Sequence, residues 1–167
     1  MKTELVHLSG LLLGGVSFYG DPFRRKGGWD SDNEIGNTCR RYGDIIARYP
    51  ELIKTGYRRI FYEVHIYGRE TSDKGYFEVF AGEEVATAEL PMELLTKYIP
   101  ASDYLKVTLT GKEITEDWWK KIEEEQLPKQ CVVKNDTYII QAYDERFKGM
   151  DQIDVSEMDA YIPVFKV

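Results

Sequence analysis

Apolar and polar positions alternate with a period of two through several short stretches. They recur every three or four residues through two others, so the chain is predicted to mix strands with helices. Leu5–Leu13 reads as a first strand, with its apolar exit running on to Phe18. Gly20–Asp32 holds Pro22, Gly27 and Gly28 among mixed charges and reads as a loop. Over Asn33–Tyr49, Ile35, Cys39, Tyr42, Ile46 and Tyr49 fall on one helical face. Asp32 or Asn33 can cap the start of that helix, and Pro50 marks its end. Arg58–Tyr67 and Tyr76–Val85 follow as two strands, separated by the turn-forming stretch Thr71–Gly75. Leu90–Pro100 reads as a connector with room for one helical turn at Met92–Lys97.

The same order then returns. Tyr104–Thr110 is a strand ending in Gly111, and Ile114–Gln126 is a helix with Thr115 as its cap and Pro128 beyond its end. Tyr138–Tyr143 and Met158–Val164 are the last two strands. Both halves therefore read strand–helix–strand–strand, displaced by roughly eighty residues. The expected fold is a single α+β domain over residues 1–167. It would consist of duplicated β-α-β-β modules with pseudo-twofold symmetry, split into halves of about 1–90 and 100–167. Its antiparallel sheets would carry helices on one face, with a ligand groove between the halves.

Side chains alternate across a strand, and this splits the candidate chemistry from the candidate core. Ile60, Tyr62, Val64 and Ile66 form one face, and Phe61, Glu63, His65 and Tyr67 the other. On the next strand Phe77, Val79 and Ala81 oppose Tyr76, Glu78 and Phe80. In the second half, Leu105, Val107 and Leu109, and Met158, Ala160, Ile162 and Val164, are core-type faces. Gln141 lies between Ile139 and Tyr143, and Asp159 neighbours Tyr161. The faces turned away from the helices are thus expected to carry rings with carboxylates among them. That combination suits a lipophilic cation, because π faces attract positive charge and a partly desolvated carboxylate supplies the counter-charge. The alternative is that the rings only cover a half-exposed sheet, with the acids in solvent.

Composition narrows the function classes. With 22 Lys and Arg against 29 Asp and Glu, the net charge of −7 argues against direct nucleic-acid binding, which needs clustered positive charge. The 12 Tyr, 7 Phe and 3 Trp argue against disorder. Two widely spaced cysteines, Cys39 and Cys131, make no disulfide framework and point to a cytoplasmic setting. Leu5–Phe18 is interrupted upstream by Glu4 and within by His7, lacks a small-residue cleavage site and is too short to span a bilayer, so neither a signal peptide nor a membrane partner is expected. Two Cys and two scattered His offer no zinc spacing. Asp30–Gly36 departs from a calcium loop at Ile35 and Arg41. No phosphate-cradling glycine motif or serine elbow is present, so no metal or cofactor is expected.

The strand–helix–strand–strand order, with Gly75–Val85 (GYFEVFAGEEV), Pro100–Gly111 (PASDYLKVTLTG) and Asp159–Val164 (DAYIPV), resembles the GyrI-like superfamily. That superfamily includes the effector-binding domains of MerR-type and AraC-type regulators and the integron-associated effector-binding proteins. The resemblance covers nearly the whole chain, and this sequence looks like a stand-alone version. It implies a groove between two halves that binds aromatic, often cationic compounds, faced by a Glu in the penultimate strand. Here Gln141, within IIQAYD, stands at that position, which removes the counter-charge. Glu78, in YFEVF, is the first candidate to replace it, and Glu63 the second. Tyr76, Tyr143, Tyr161 and one of Trp118 and Trp119 would stack on the ligand, with Gln141 as a hydrogen-bonding group. His65 and Tyr67 share the Glu63 face, and His65 could serve acid–base work or simply pair with its neighbour. The partner expected is a small hydrophobic or cationic aromatic ligand. The alternatives are a hydrolase of strained-ring genotoxins using an acid and a Tyr in the same groove, and a gyrase-inhibitor-like interaction protein. No residue is assigned as catalytic, and no segment specifies a protein partner.

Overall fold

The computed structural model describes residues 1–53, 59–124, 131–133 and 138–166. The expected positions Arg58, Gln126 and Pro128 lie outside them. The fold is α+β: among the described residues there are one antiparallel sheet of nine strands and three α-helices. The strands are β1 (Lys2–Leu8), β2 (Leu11–Gly20), β3 (Phe61–Ile66), β4 (Phe77–Glu84), β5 (Leu95–Ile99), β6 (Ser102–Thr110), β7 (Cys131–Val133), β8 (Tyr138–Tyr143) and β9 (Glu157–Lys166). The helices are α1 (Glu34–Ile46), α2 (Arg69–Lys74) and α3 (Trp118–Glu124). The strand order is β1-β6-β9-β8-β3-β4-β2-β5, with β7 added on β9. The three strands β6-β9-β8 thus meet β3-β4-β2 at the β8–β3 pair in the middle.

This order forces the sheet to curl. β1 and β2 are six steps apart along it, so a flat sheet would separate them by about 29 Å. Ser9 and Gly10 alone connect them, a reach of about 11 Å. The link from β5 to β6, through Pro100 and Ala101, imposes the same closure. The curled interior is filled by Leu13, Tyr62, Val64, Phe80, Ile99, Tyr104 and Ile140, with Val6 and Leu8 of β1 packed against them. Gly15 sits opposite Gly82 where β2 and β4 pair, and a Cβ on Gly15 would lie 2.2 Å from the Ala81 carbonyl oxygen and 2.7 Å from the Phe80 ring. Glycine is required for that approach.

Helices α1 and α3 cover the opposite, outer face. Tyr42 and Ile46 of α1 pack with Val16, Ala81 and Leu94. Ile114 and Ile122 pack on Leu105, Val107, Leu109, Met158, Ala160 and Ile162, with Trp118 and Trp119 against the same cluster. Burying these faces at roughly 25 cal/mol per Å² of apolar surface is what holds the helices on the sheet.

Several boundaries differ from the sequence reading, each for a local reason. Leu5–Leu13 is broken at Ser9 and Gly10 into two strands. Thr71–Gly75 belongs to the short helix α2, ended by Gly75 in the left-handed region at φ 71°. Leu90–Pro100 is not a helical connector. A turn in which the Leu94 N–H donates to the Pro91 carbonyl leads into β5, whose backbone groups are taken up by Leu11–Gly15. Thr115 is not the cap of the second-half helix. It ends a 3-10 turn at Gly111–Ile114, and Asp117 caps α3 by accepting from the Lys120 N–H at 3.1 Å. Asn33 caps α1, accepting from the Ile35 and Gly36 N–H groups at 3.0 Å.

Candidate functional site

The sheet's central pair sets the site. Glu63 of β3 lies directly opposite Gln141 of β8, and Phe61 opposite Tyr143, so all four share one face. That face is the helix-bearing one, because Glu63 also pairs with Ala81, which packs under α1. Above it opens a cavity of about 1280 Å³. Its floor is β3 and β8, and its walls are α1 with the preceding loop on one side and Ile114–Trp119 on the other.

Glu63 is the polar centre. The residue is 6 % exposed. Oε1 shares a 2.7 Å hydrogen bond with His65 Nε2 and accepts from Gln141 Nε2 at 3.2 Å. Oε2 accepts from the Tyr143 hydroxyl at 3.5 Å and from the Cys39 thiol at 3.8 Å. Tyr143 also donates to Gln141 Oε1 at 3.0 Å, and Tyr67 Oη lies 3.4 Å from His65 Nδ1. Among the described residues no Lys or Arg forms an ion pair with Glu63, and His65 is its sole basic partner. Burial, and then the Glu63 charge, hold the Tyr143 phenol and the Cys39 thiol well above their usual ranges, and push Tyr67 up to about 12. These three groups therefore remain protonated donors at neutral pH.

Rings close the cavity. Tyr143 contacts Phe147 with ring centroids 4.9 Å apart, Phe61 at 6.0 Å and Trp29 at 6.4 Å. Phe77 lies 5.1 Å from the His65 ring and 5.3 Å from that of Tyr67. The loop that carries Trp29 is anchored by charge: Arg24 and Arg25 reach Glu34, and Lys26 reaches Asp30. Gly36 lets this loop lie against the start of α1, since a Cβ there would sit 2.2 Å from the Ser31 carbonyl oxygen.

Of the residues singled out in the sequence, Glu63, His65, Tyr67, Trp118, Trp119, Gln141 and Tyr143 line this cavity. Tyr76, Glu78 and Tyr161 do not. Glu78 pairs with Ile66 and so occupies the opposite face, where it accepts from Ser17 at 2.8 Å and from Lys97 at 2.6 Å. Tyr161 packs against the curled interior, and Tyr76 is exposed beside Tyr19. The expectation that the ring-and-acid surface faces away from the helices is therefore corrected: that side of the sheet closes on itself, and the cavity lies beneath the helices. Phe61 was placed on the Glu63 face without a role, and Trp29, Phe147 and Cys39 were not singled out as site residues. Trp29 had a signal, a large aromatic in a largely polar, glycine-rich loop. Its indole N–H is buried without an acceptor among the described residues.

The fold recurs in solved structures. SAV2435 bound to tetraphenylphosphonium superposes with a TM-score of 0.68 at 14% identity, covering 99% of this chain and 94% of that one. The integron cassette protein VCH_CASS2 of Vibrio cholerae gives 0.62 at 15% identity, over 98% and 95%. A hydrolase encoded by lin2189 of Listeria innocua gives 0.53 at 11% identity, over 98% and 92%. Among curated proteins, no sequence matches. No helix among the described residues is long and apolar enough to cross a membrane. Residues 15–164, from within β2 to within β9, match the Cass2 family, and the chain belongs to these integron-associated effector-binding proteins.

Proposed function

We propose that this protein binds a hydrophobic aromatic ligand, preferentially a cation, in the cavity between α1 and the Ile114–Trp119 segment. The observation that carries the reading is Glu63: a buried carboxylate without a Lys or Arg partner among the described residues, at the floor of a ring-lined cavity of about 1280 Å³. A buried anion of this kind is costly unless a cation is supplied, and surrounding rings favour a diffuse one. Glu63 takes the counter-charge role that the family pattern gives to the position of Gln141, one strand across. Gln141 and Tyr143 orient the carboxylate, and Trp29, Phe147 and Trp118 or Trp119 stack on the ligand. The two halves around the β3–β8 pair are read as repeats of one module within a single domain, the cavity straddling their junction. The setting proposed is the cytoplasm, with no direct nucleic-acid contact, in keeping with the net charge of −7. Titration with tetraphenylphosphonium, followed by Trp fluorescence, tests this: saturable quenching is expected, and its persistence unchanged in Glu63→Gln would sink the reading.

A second reading is favoured by one contact. The 2.7 Å Glu63–His65 pair, with the Tyr143 hydroxyl alongside, could activate a water against an electrophilic ligand and protonate the leaving position. It requires turnover. Incubation with strained-ring electrophiles, with product followed by mass spectrometry, separates it from simple binding.

A further inference from the structure

Among the described residues His65 is the one basic side chain paired with Glu63, and its position points to a role in ligand choice. The two side chains are both buried and joined at 2.7 Å. The groups facing His65 come from each neighbouring element. On its own strand these are Glu63 and, just past the end, Tyr67. From β4 come Phe77 and Val79 and from β8 Ile139, while Gln141, Tyr143 and, from α1, Cys39 surround its partner Glu63. The phenols and the thiol among them are held protonated, so none exchanges a proton in the neutral range. The charged groups that remain on the cavity wall, Asp30, Arg40, Glu116 and Asp117, belong to the loop, α1 and the segment before α3.

We propose that His65 is the specificity-determining residue for ligand charge: it carries the proton that balances Glu63, and a permanently cationic ligand displaces that proton to solvent. The inference rests on the reading of the cavity as a cation site. The physical reason is charge balance in a desolvated space. Imidazolium and carboxylate together are neutral, so adding a cation to the protonated pair leaves a net positive charge out of water. Adding it to neutral imidazole and carboxylate leaves none. Cation and proton therefore compete for the same carboxylate. On the acid side, where the proton is bound, each unit fall in pH weakens cation binding about tenfold; on the alkaline side affinity is flat. A neutral aromatic ligand of similar shape displaces no proton, so the same cavity shifts from cations towards neutral compounds as pH falls.

Isothermal titration calorimetry tests this with tetraphenylphosphonium and, for comparison, neutral triphenylphosphine oxide. Titrations run from about pH 8 down to about pH 5, the interval in which imidazole changes charge, in buffers of different ionisation enthalpy. The expected result is release of about one proton per cation bound on the acid side, a tenfold loss of affinity per pH unit there, and a flat profile in His65→Gln. Binding of the cation with constant affinity and no proton release overturns this inference and leaves the cation site standing. Absence of cation binding at every pH overturns both. The same slope with the neutral compound overturns the inference too, because it assigns the pH effect to the cavity's shape. Proton release is counted on the unaltered protein, so the test does not depend on His65→Gln folding.

Discussion

Glu63 and Glu78 occupy nearly interchangeable strings, Phe61–His65 (FYEVH) and Tyr76–Phe80 (YFEVF), on strands that pair with one another, yet their fates differ. Glu63 is buried on the helix-bearing face with His65, Gln141 and Tyr143 around it. Glu78, its side chain 27% exposed, is neutralised by Lys97 on the other face. Register makes the difference: Glu78 lies opposite Ile66, three residues from Glu63, and an odd offset turns a side chain to the other side of the sheet. Local composition thus nominates carboxylates, and pairing decides which one meets a ligand and which one meets a lysine.

The largest effect expected concerns the face that closes on itself. Phe80→Ala removes a fully buried ring from the curled interior and should cost about 3–5 kcal/mol of stability, read by chemical denaturation. A cost under about 1 kcal/mol would mean that the curled interior is loosely packed. Next is the contrast between the carboxylates themselves. Glu63→Gln should weaken tetraphenylphosphonium by about 2–5 kcal/mol, roughly thirtyfold to several thousandfold, while Glu78→Gln leaves it within about twofold. Equal losses in the two variants would erase the distinction between the faces.

Acid sharpens the comparison next. Arg24 holds the Glu34 carboxyl, and the N-terminal amine holds that of Glu113, below the usual carboxylate range. A folded-state pKa lowered in this way contributes stability above the unfolded value, and the contribution is lost as pH falls through the folded one. Thermal melts should therefore be insensitive to these two groups down to about pH 5 and decline below about pH 4.5. Arg24→Gln should remove part of that decline, since it releases Glu34 at the loop that carries Trp29. The smallest effect is expected at the partly exposed ion pair of Lys97 and Glu78. Lys97→Met should change stability by no more than about 1 kcal/mol and leave ligand affinity unaltered, which melts and dye titration together would check.

Where sequence and structure part company, the cause is long-range. The α1 pattern was legible because Cys39, Tyr42 and Ile46 recur at helical spacing and Asn33 can cap. β8 was legible to the residue, Tyr138–Tyr143. β5 was not, since its residues become a strand only by pairing with β2, far away in sequence. For the site, the strand parity that grouped Phe61, Glu63, His65 and Tyr67 came from a local period of two, and the structure keeps them together on the cavity side. Placing Glu78 with them required a register that nothing within either strand specifies.

The sequence by itself determined most of the strands and α1, which residues alternate across each strand, and that carboxylates would lie among rings, because these follow from short-range periodicity and side-chain chemistry. The tertiary structure alone decided which face would be sealed. The two-residue link from β1 to β2 and the β5–β6 link close the sheet upon its apolar side, so the remaining face, under the helices, is the one left with space around Glu63.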